Sequence, residues 1–166
     1  MEQTFSAILA DPPWRYDNPQ ALVGGKAHHG QVNVEKQYPT MSLDSIKALP
    51  VPAKSNCLLF LWCTNPFLAD GSAADVVRAW GFTPKTVITW AKIQTDGATP
   101  SMKTGHWFRS ASEHIIFAVR GDVRRPEGYP ALPTWQPHTR LPHSVKPDIF
   151  YSFCCLVFSF FYCRFV

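Results

Sequence analysis

Ser6-Ala7-Ile8-Leu9-Ala10-Asp11-Pro12-Pro13-Trp14 is the stretch on which the fold turns. A short apolar run meets a carboxylate, two prolines and an indole. Proline has no N–H to give to a central ladder, so a strand over 6–10 must stop at Asp11. A strand that ends in a carboxylate sets that group at the carboxyl edge of a sheet, where open α/β folds take their ligands. Pro12 and Pro13 hold φ near −65° (about) and present carbonyl oxygens without a competing N–H of their own. One carboxylate oxygen and one backbone carbonyl can together hold both N–H bonds of an exocyclic nucleobase amine. That turns the amine's lone pair, otherwise delocalised into the ring, towards an electrophile. Trp14 offers a flat face for a base taken out of its stack. The plainer reading is a strand and a proline turn with Asp11 as a cap. The apolar strand before the motif and the Trp after it favour the chemical one.

Outward from this point, residues 15–37 are polar and read as a long loop, of the length usual for functional lids or disordered segments. Ser42 can cap a short helix towards Leu49, ended by Pro50 and Pro52. Cys57 to Cys63 is continuously apolar, as a strand buried on both faces should be. Phe67 to Trp80 has helical spacing with Gly81 as its stop, and Thr86–Ala91 and His114–Val119 are strand-like. Residues 121–143 are rich in proline and read as a loop. Strand, helix and strand in this order predict an α/β domain with a mostly parallel sheet.

Composition narrows the class. A chain of 166 residues with 46% hydrophobic content fits one globular domain with its own core. A net charge of +4 suits a polyanionic partner without requiring one. Five cysteines without a regular framework, and a Met1-Glu2-Gln3-Thr4 start unlike a signal peptide, point to a reducing, intracellular and cytoplasmic setting. Lys92, Lys103, Arg109, Arg120, Arg124, Arg125 and Arg140 are candidate phosphate contacts, with Trp107 and Phe108 available for stacking; plain solvated surface explains them equally well. His138 and His143 have no cysteine at a compatible spacing, so no metal site is expected. His114, bordering a strand, reads as a satisfied core residue.

Asp11-Pro12-Pro13-Trp14 resembles the signature of the MT-A70 type of adenine-N6 methyltransferases. Tyr38-Pro39-Thr40-Met41-Ser42, Leu59 to Asn65, Trp80-Gly81-Phe82, Ile88 to Lys92, Gly105-His106-Trp107, Glu113-His114 and His143 to Asp148 follow in that family's order, over roughly residues 5–151. The resemblance implies a Rossmann-like, S-adenosylmethionine-dependent fold of permuted motif order, acting on adenine N6 in nucleic acid. The catalytic motif would be Asp11 to Trp14, with Asp11 holding the amine near the sulfonium and Pro12 lending its carbonyl. Trp14 would stack on adenine, Tyr38 and Asn65 would lie on the substrate side, and Lys146 would contact the methionine part of the cofactor. The compact chain is most similar to phage and bacterial members, which points to DNA ahead of RNA.

Here the chain also departs from the family, which continues after Lys-Pro-Asp through an amphipathic helix to a strand reading roughly Glu-Leu-Phe-x-Arg. This sequence instead reads Ile149-Phe150-Tyr151-Ser152-Phe153-Cys154-Cys155, and no Glu-Leu-Phe-x-Arg occurs in it. The expectation is a partial methyltransferase domain over 1–148, incomplete at its C-terminus, with an atypical apolar tail over 149–166. A frameshift or truncation accounts for such a tail best; a divergent helix or strand, or a membrane segment, are the other readings, and Arg164 argues against the last. Weak binding of S-adenosylmethionine is expected. The alternative function is an inactive, nucleic-acid-binding remnant of such an enzyme. Oligomeric state is not legible.

Overall fold

The computed structural model describes residues 3–16, 39–102, 107–125, 127–128, 131–142 and 145–157. Five strands, β1 (Phe5–Ala10), β2 (Ala53–Cys63), β3 (Thr83–Ile93), β4 (Ser112–Arg120) and β5 (Trp135–Thr139), form one sheet in the order β1-β2-β4-β3-β5. β1 pairs parallel with β2, and β3 parallel with β5. β4 lies antiparallel between β2 and β3. Four strands therefore share one direction and β4 alone reverses, which makes the sheet mixed: mostly parallel by strand direction, though not by neighbour.

Alternation along the strands divides the core in two, as a sheet covered on both faces requires. Ile8, Ala10, Leu59, Leu61, Cys63, Ile116 and Ala118 meet α1 (Leu43–Lys47), through Ile46, and α3 (Ser72–Ala79), through Ala73, Val76 and Val77. Ala7, Leu9, Leu58, Phe60, Trp62, Trp90 and Ile115 face the other way, onto Phe150 and Phe153 of α4 (Asp148–Val157). Phe150 is fully buried, its ring edge-on to Trp62 at 4.9 Å. The apolar segment after Asp148 thus begins as a helix that closes the second face. No helix among the described residues is long and apolar enough to cross a membrane.

Two elements differ from expectation. The helical stretch 67–80 is divided into α2 (Asn65–Ala69) and α3 at Asp70-Gly71. Gly71 sits at φ 83°, which a residue with a Cβ adopts at a cost, and the Asp70 carboxylate accepts the Ser72 N–H at 2.8 Å. The proline-rich span 121–143 is not all loop, because Trp135–Thr139 is strand β5 with Pro137 opposite Ala91. An edge position tolerates a residue with no ladder donor, and β5 pairs on one side with β3 among the described residues.

Arg120, offered above as a phosphate contact, is committed inside the fold. Its guanidinium donates to the carbonyls of Trp80, Gly81 (3.3 Å) and Ala53 (3.4 Å) and lies 4.5 Å over the Phe82 ring. It thereby satisfies the carboxyl end of α3, where a cation is favoured. Just beyond it, Gly121 has φ 71°, and a Cβ there would overlap the Ser55 carbonyl and the Asn56 side-chain oxygen, which itself accepts the Asp122 N–H at 3.0 Å. Gly121→Ala is expected to cost about 2–3 kcal/mol through positive φ and a backbone overlap together. Urea unfolding of both proteins measures it, and a loss below half a kilocalorie (~0.5 kcal/mol) would show that the turn relaxes freely.

Candidate active site

The strands bring their polar ends to one edge of the sheet. β1 delivers Asp11, β2 delivers Thr64 and Asn65, β3 delivers Lys92, and the reversed β4 starts there with Glu113 and His114. Because side chains alternate, these residues divide between the two faces.

On the α4 face, Lys146 donates to the Glu113 carboxylate at 2.6 Å and lies 3.4 Å from Asp11 Oδ2. The second Glu113 oxygen accepts from Lys92. Lys146 also stands 4.5 Å over the Trp62 ring and Lys92 4.5 Å over Trp90, so both ammonium groups rest on aromatic faces. Four charges alternate in sign, Asp11, Lys146, Glu113, Lys92, and sum to zero. Side-chain exposure is highest at Asp11, 33%, against 12% at Lys146, 17% at Glu113 and 7% at Lys92. Asp11 is the end of the chain that meets solvent.

Burial alone would raise the proton affinity of Glu113, but the charges and hydrogen bonds of Lys146 and Lys92 outweigh it and hold its carboxyl down at about 2. Burial pulls the other way on Lys146 too, and there the Asp11 and Glu113 carboxylates win, so its ammonium keeps its proton above the ordinary range. Cys63 is pushed up to about 12 by burial and then by the Glu113 charge, against Lys146, so it remains a thiol.

The opposite face holds a neutral cluster. His114 Nε2 lies 2.6 Å from Asn65 Oδ1 and His114 Nδ1 lies 3.0 Å from the Thr89 hydroxyl. An amide oxygen only accepts, so Nε2 carries the proton and Nδ1 accepts from Thr89. Burial lowers the His114 pKa, with Glu113 opposing, in keeping with a neutral ring. Asn65 Oδ1 also accepts from Ser112 at 3.3 Å.

The residues singled out from sequence fall unequally. Asp11 and Lys146 are brought together. Pro12 and Pro13 turn the chain as required, but their carbonyls already accept N–H groups: Trp14 N to Pro12 O at 2.9 Å, and Met41 N to Pro13 O at 2.9 Å. A carbonyl has two lone pairs, so Pro12 keeps one for a ligand. Asn65 stands at the same edge on the other face. Tyr38 lies outside the described residues, as does Lys103. Trp14 is placed in the core, 5% exposed, with its indole N–H on the Trp62 carbonyl at 3.0 Å and Phe67 stacked on it at 4.8 Å. Tyr16 at this corner is 40% exposed, packed on Phe67 at 4.9 Å with its hydroxyl 2.8 Å from Thr64 Oγ1.

Lys92, read from sequence as a possible phosphate contact, is buried against Glu113 instead. Glu113, quoted only for its family order, proves to be the centre of the charge chain. Neither was legible as a site residue because their meeting depends on strand pairing, Trp90 opposite Glu113. Trp107 and Phe108 are more than nine-tenths exposed. Among the described residues no three His, Cys, Asp or Glu side chains gather as metal ligands. A separate apolar cavity of about 740 Å³, lined by Leu58, Phe60, Phe117, Val119 and Phe153, lies towards the other end of the sheet, away from Asp11.

The family model described as MT-A70 matches residues 5–154, nearly the whole chain. The chain belongs to the MT-A70 family. Among curated relatives, the N(6)-adenosine-methyltransferase MT-A70-like protein of Drosophila melanogaster is 30% identical over 120 residues, 71% of this chain and 17% of its own length. The N(6)-adenosine-methyltransferase MT-A70-like protein of Arabidopsis thaliana is 28% identical over 121 residues, 72% of this chain and 15% of its own length. The human N(6)-adenosine-methyltransferase catalytic subunit METTL3 is 27% identical over 127 residues, covering 75% and 18%. The chain therefore spans less than a fifth of these relatives. The mixed five-stranded α/β sheet is the MT-A70 methyltransferase fold, and the match reaches past Asp148 into α4.

One local prediction belongs to this MT-A70 site. Trp14→Phe removes the donor to the Trp62 carbonyl and is expected to cost about 1–2 kcal/mol of stability, the worth of a buried hydrogen bond left half made. Chemical denaturation would register it; no change in midpoint would mean that Trp14 is not held as a core residue.

Proposed function

We propose that this chain transfers a methyl group from S-adenosylmethionine to N6 of adenine in nucleic acid. The observation that carries the reading is the Asp11–Lys146 pair at the carboxyl edge, an anion and a cation 3.4 Å apart with Asp11 open to solvent. Such a pair fits the amino-acid end of the methyl donor, whose ammonium and carboxylate find one partner each. Buried beside it, the Trp62 indole N–H has no hydrogen-bond partner among the described residues, a donor that a ligand oxygen would satisfy. S-adenosylmethionine, when bound, supplies an electrophilic methyl on a sulfonium. The protein's share is positioning and electrostatics. Asp11 and the second lone pair of the Pro12 carbonyl accept from the adenine amine, and Tyr16 brings an exposed aromatic ring to the same corner. No covalent enzyme intermediate is called for.

The relatives' names carry adenosine, which favours RNA over the DNA suggested by the chain's compactness. The test follows labelled methyl into adenine-containing RNA and DNA strands, with the methyl donor in excess over its expected weak affinity. Label recovered as N6-methyladenine is the expected result, and the preferred strand decides the polymer. No label in either strand, with donor binding intact, would overturn the reading. It would leave the second one, nucleic-acid binding without turnover, which is favoured by the hold that two carboxylates already have on Lys146.

A further inference from the structure

We propose that Lys92 is a positioning residue for the Asp11–Lys146 pair, acting through Glu113. Lys92 is the least exposed of the four charges, and it takes one of the two Glu113 oxygens while Lys146 takes the other. A carboxylate shared between two ammonium groups holds each less tightly than it would hold one alone. That division leaves Lys146 at 2.6 Å from Glu113 and still within 3.4 Å of Asp11. Without the Lys92 charge, Glu113 has Lys146 as its main counterion and draws it inward, away from Asp11.

Geometry favours this role over nucleic-acid contact. Lys92 is 7% exposed at its side chain, its ammonium lies over Trp90, and its backbone is held on both sides, N–H to the Ala111 carbonyl at 2.8 Å and carbonyl accepting from Ser101 at 2.7 Å. The position is rigid, as a device that sets another group's location must be. The groups facing Glu113 are Lys92 from β3 and Lys146 ahead of α4, with Asp11 reached through Lys146; the Cys63 thiol of β2 lies on the other face and feels the Glu113 charge. His114 follows Glu113 on the other face.

The inference rests on the methyl-transfer reading only for the use made of the pair; its test needs no methyl donor. Side-chain carboxyl carbons are labelled and titrated by NMR in the whole protein, where Glu2, Glu35, Glu113 and Glu127 are the only glutamates to assign. Lys92→Met is expected to raise the Glu113 titration by about one unit or more and to raise that of Asp11 with it, while Lys92→Arg leaves both in place. A rise at Glu113 with none at Asp11 would make Lys92 a local counterion and overturn the proposal. Should Lys92→Met not fold, Glu113→Gln decides: freed from Glu113, Lys146 belongs to Asp11 alone, and the Asp11 titration falls. An unmoved Asp11 there overturns the proposal equally. If no variant and no parent transfers methyl, the functional reading fails while the titrations still decide the role of Lys92.

Discussion

Asp11→Ala is expected to reduce methyl transfer by roughly 10²–10³-fold, or below detection, because it removes a solvent-facing carboxylate at the strand edge. The amine of an adenine would lose an acceptor that both restrains its N–H bonds and aims its lone pair. The Pro12 carbonyl, already shared with the Trp14 N–H, cannot replace it. The fold should survive. Lys146 keeps its 2.6 Å bond to Glu113, and β1 ends at Ala10 before the substitution. Incorporation of labelled methyl, measured beside a thermal melt, checks both halves. Activity within tenfold of the parent in a folded variant would remove Asp11 from the chemistry.

A different loss is expected from Glu113→Leu. Two buried ammonium groups, Lys92 and Lys146, would lose their shared counterion, and breaking a buried ion pair from one side costs about 3–5 kcal/mol. The pH dependence has a definite sign. Glu113 is held at about 2 against an ordinary 4.5, so its contribution is fully present above 4.5 and fades as pH falls towards 2. A shift of that size corresponds to about 3 kcal/mol, in keeping with the mutational expectation. Urea unfolding at several pH values should show the gap between parent and variant narrowing from pH 5 to pH 2. A gap that stays constant down to pH 2 would mean that Glu113 is not the ionised centre of the chain.

Much of this protein was open to reading along the chain. Five apolar or small residues before Asp11-Pro12-Pro13 can do little but end a strand at the carboxyl edge, because proline removes the donor that would continue the ladder. The apolar run 57–63 had to be a strand covered on both faces, since no residue in it tolerates water. Lys146 and Asp11 were each assigned to the cofactor from the family resemblance, and the fold brings them to 3.4 Å.

What sequence could not supply was everything that depends on which strand lies beside which. β4 reverses between β2 and β3, and that reversal, invisible in periodicity, carries Glu113 to the edge where Asp11 ends. Lys92 looks like any surface lysine until Trp90 is found opposite Glu113. Trp14 looks like an open stacking platform until Phe67 and the Trp62 carbonyl claim it. The proline-rich span concealed β5 because a proline is excluded from central strands but not from an edge. Local chemistry follows from neighbours along the chain, and it determined where β1 ends, the proline turn and the carboxylate that stands there. Burial and charge pairing follow from neighbours across the sheet, and only the tertiary structure decides those.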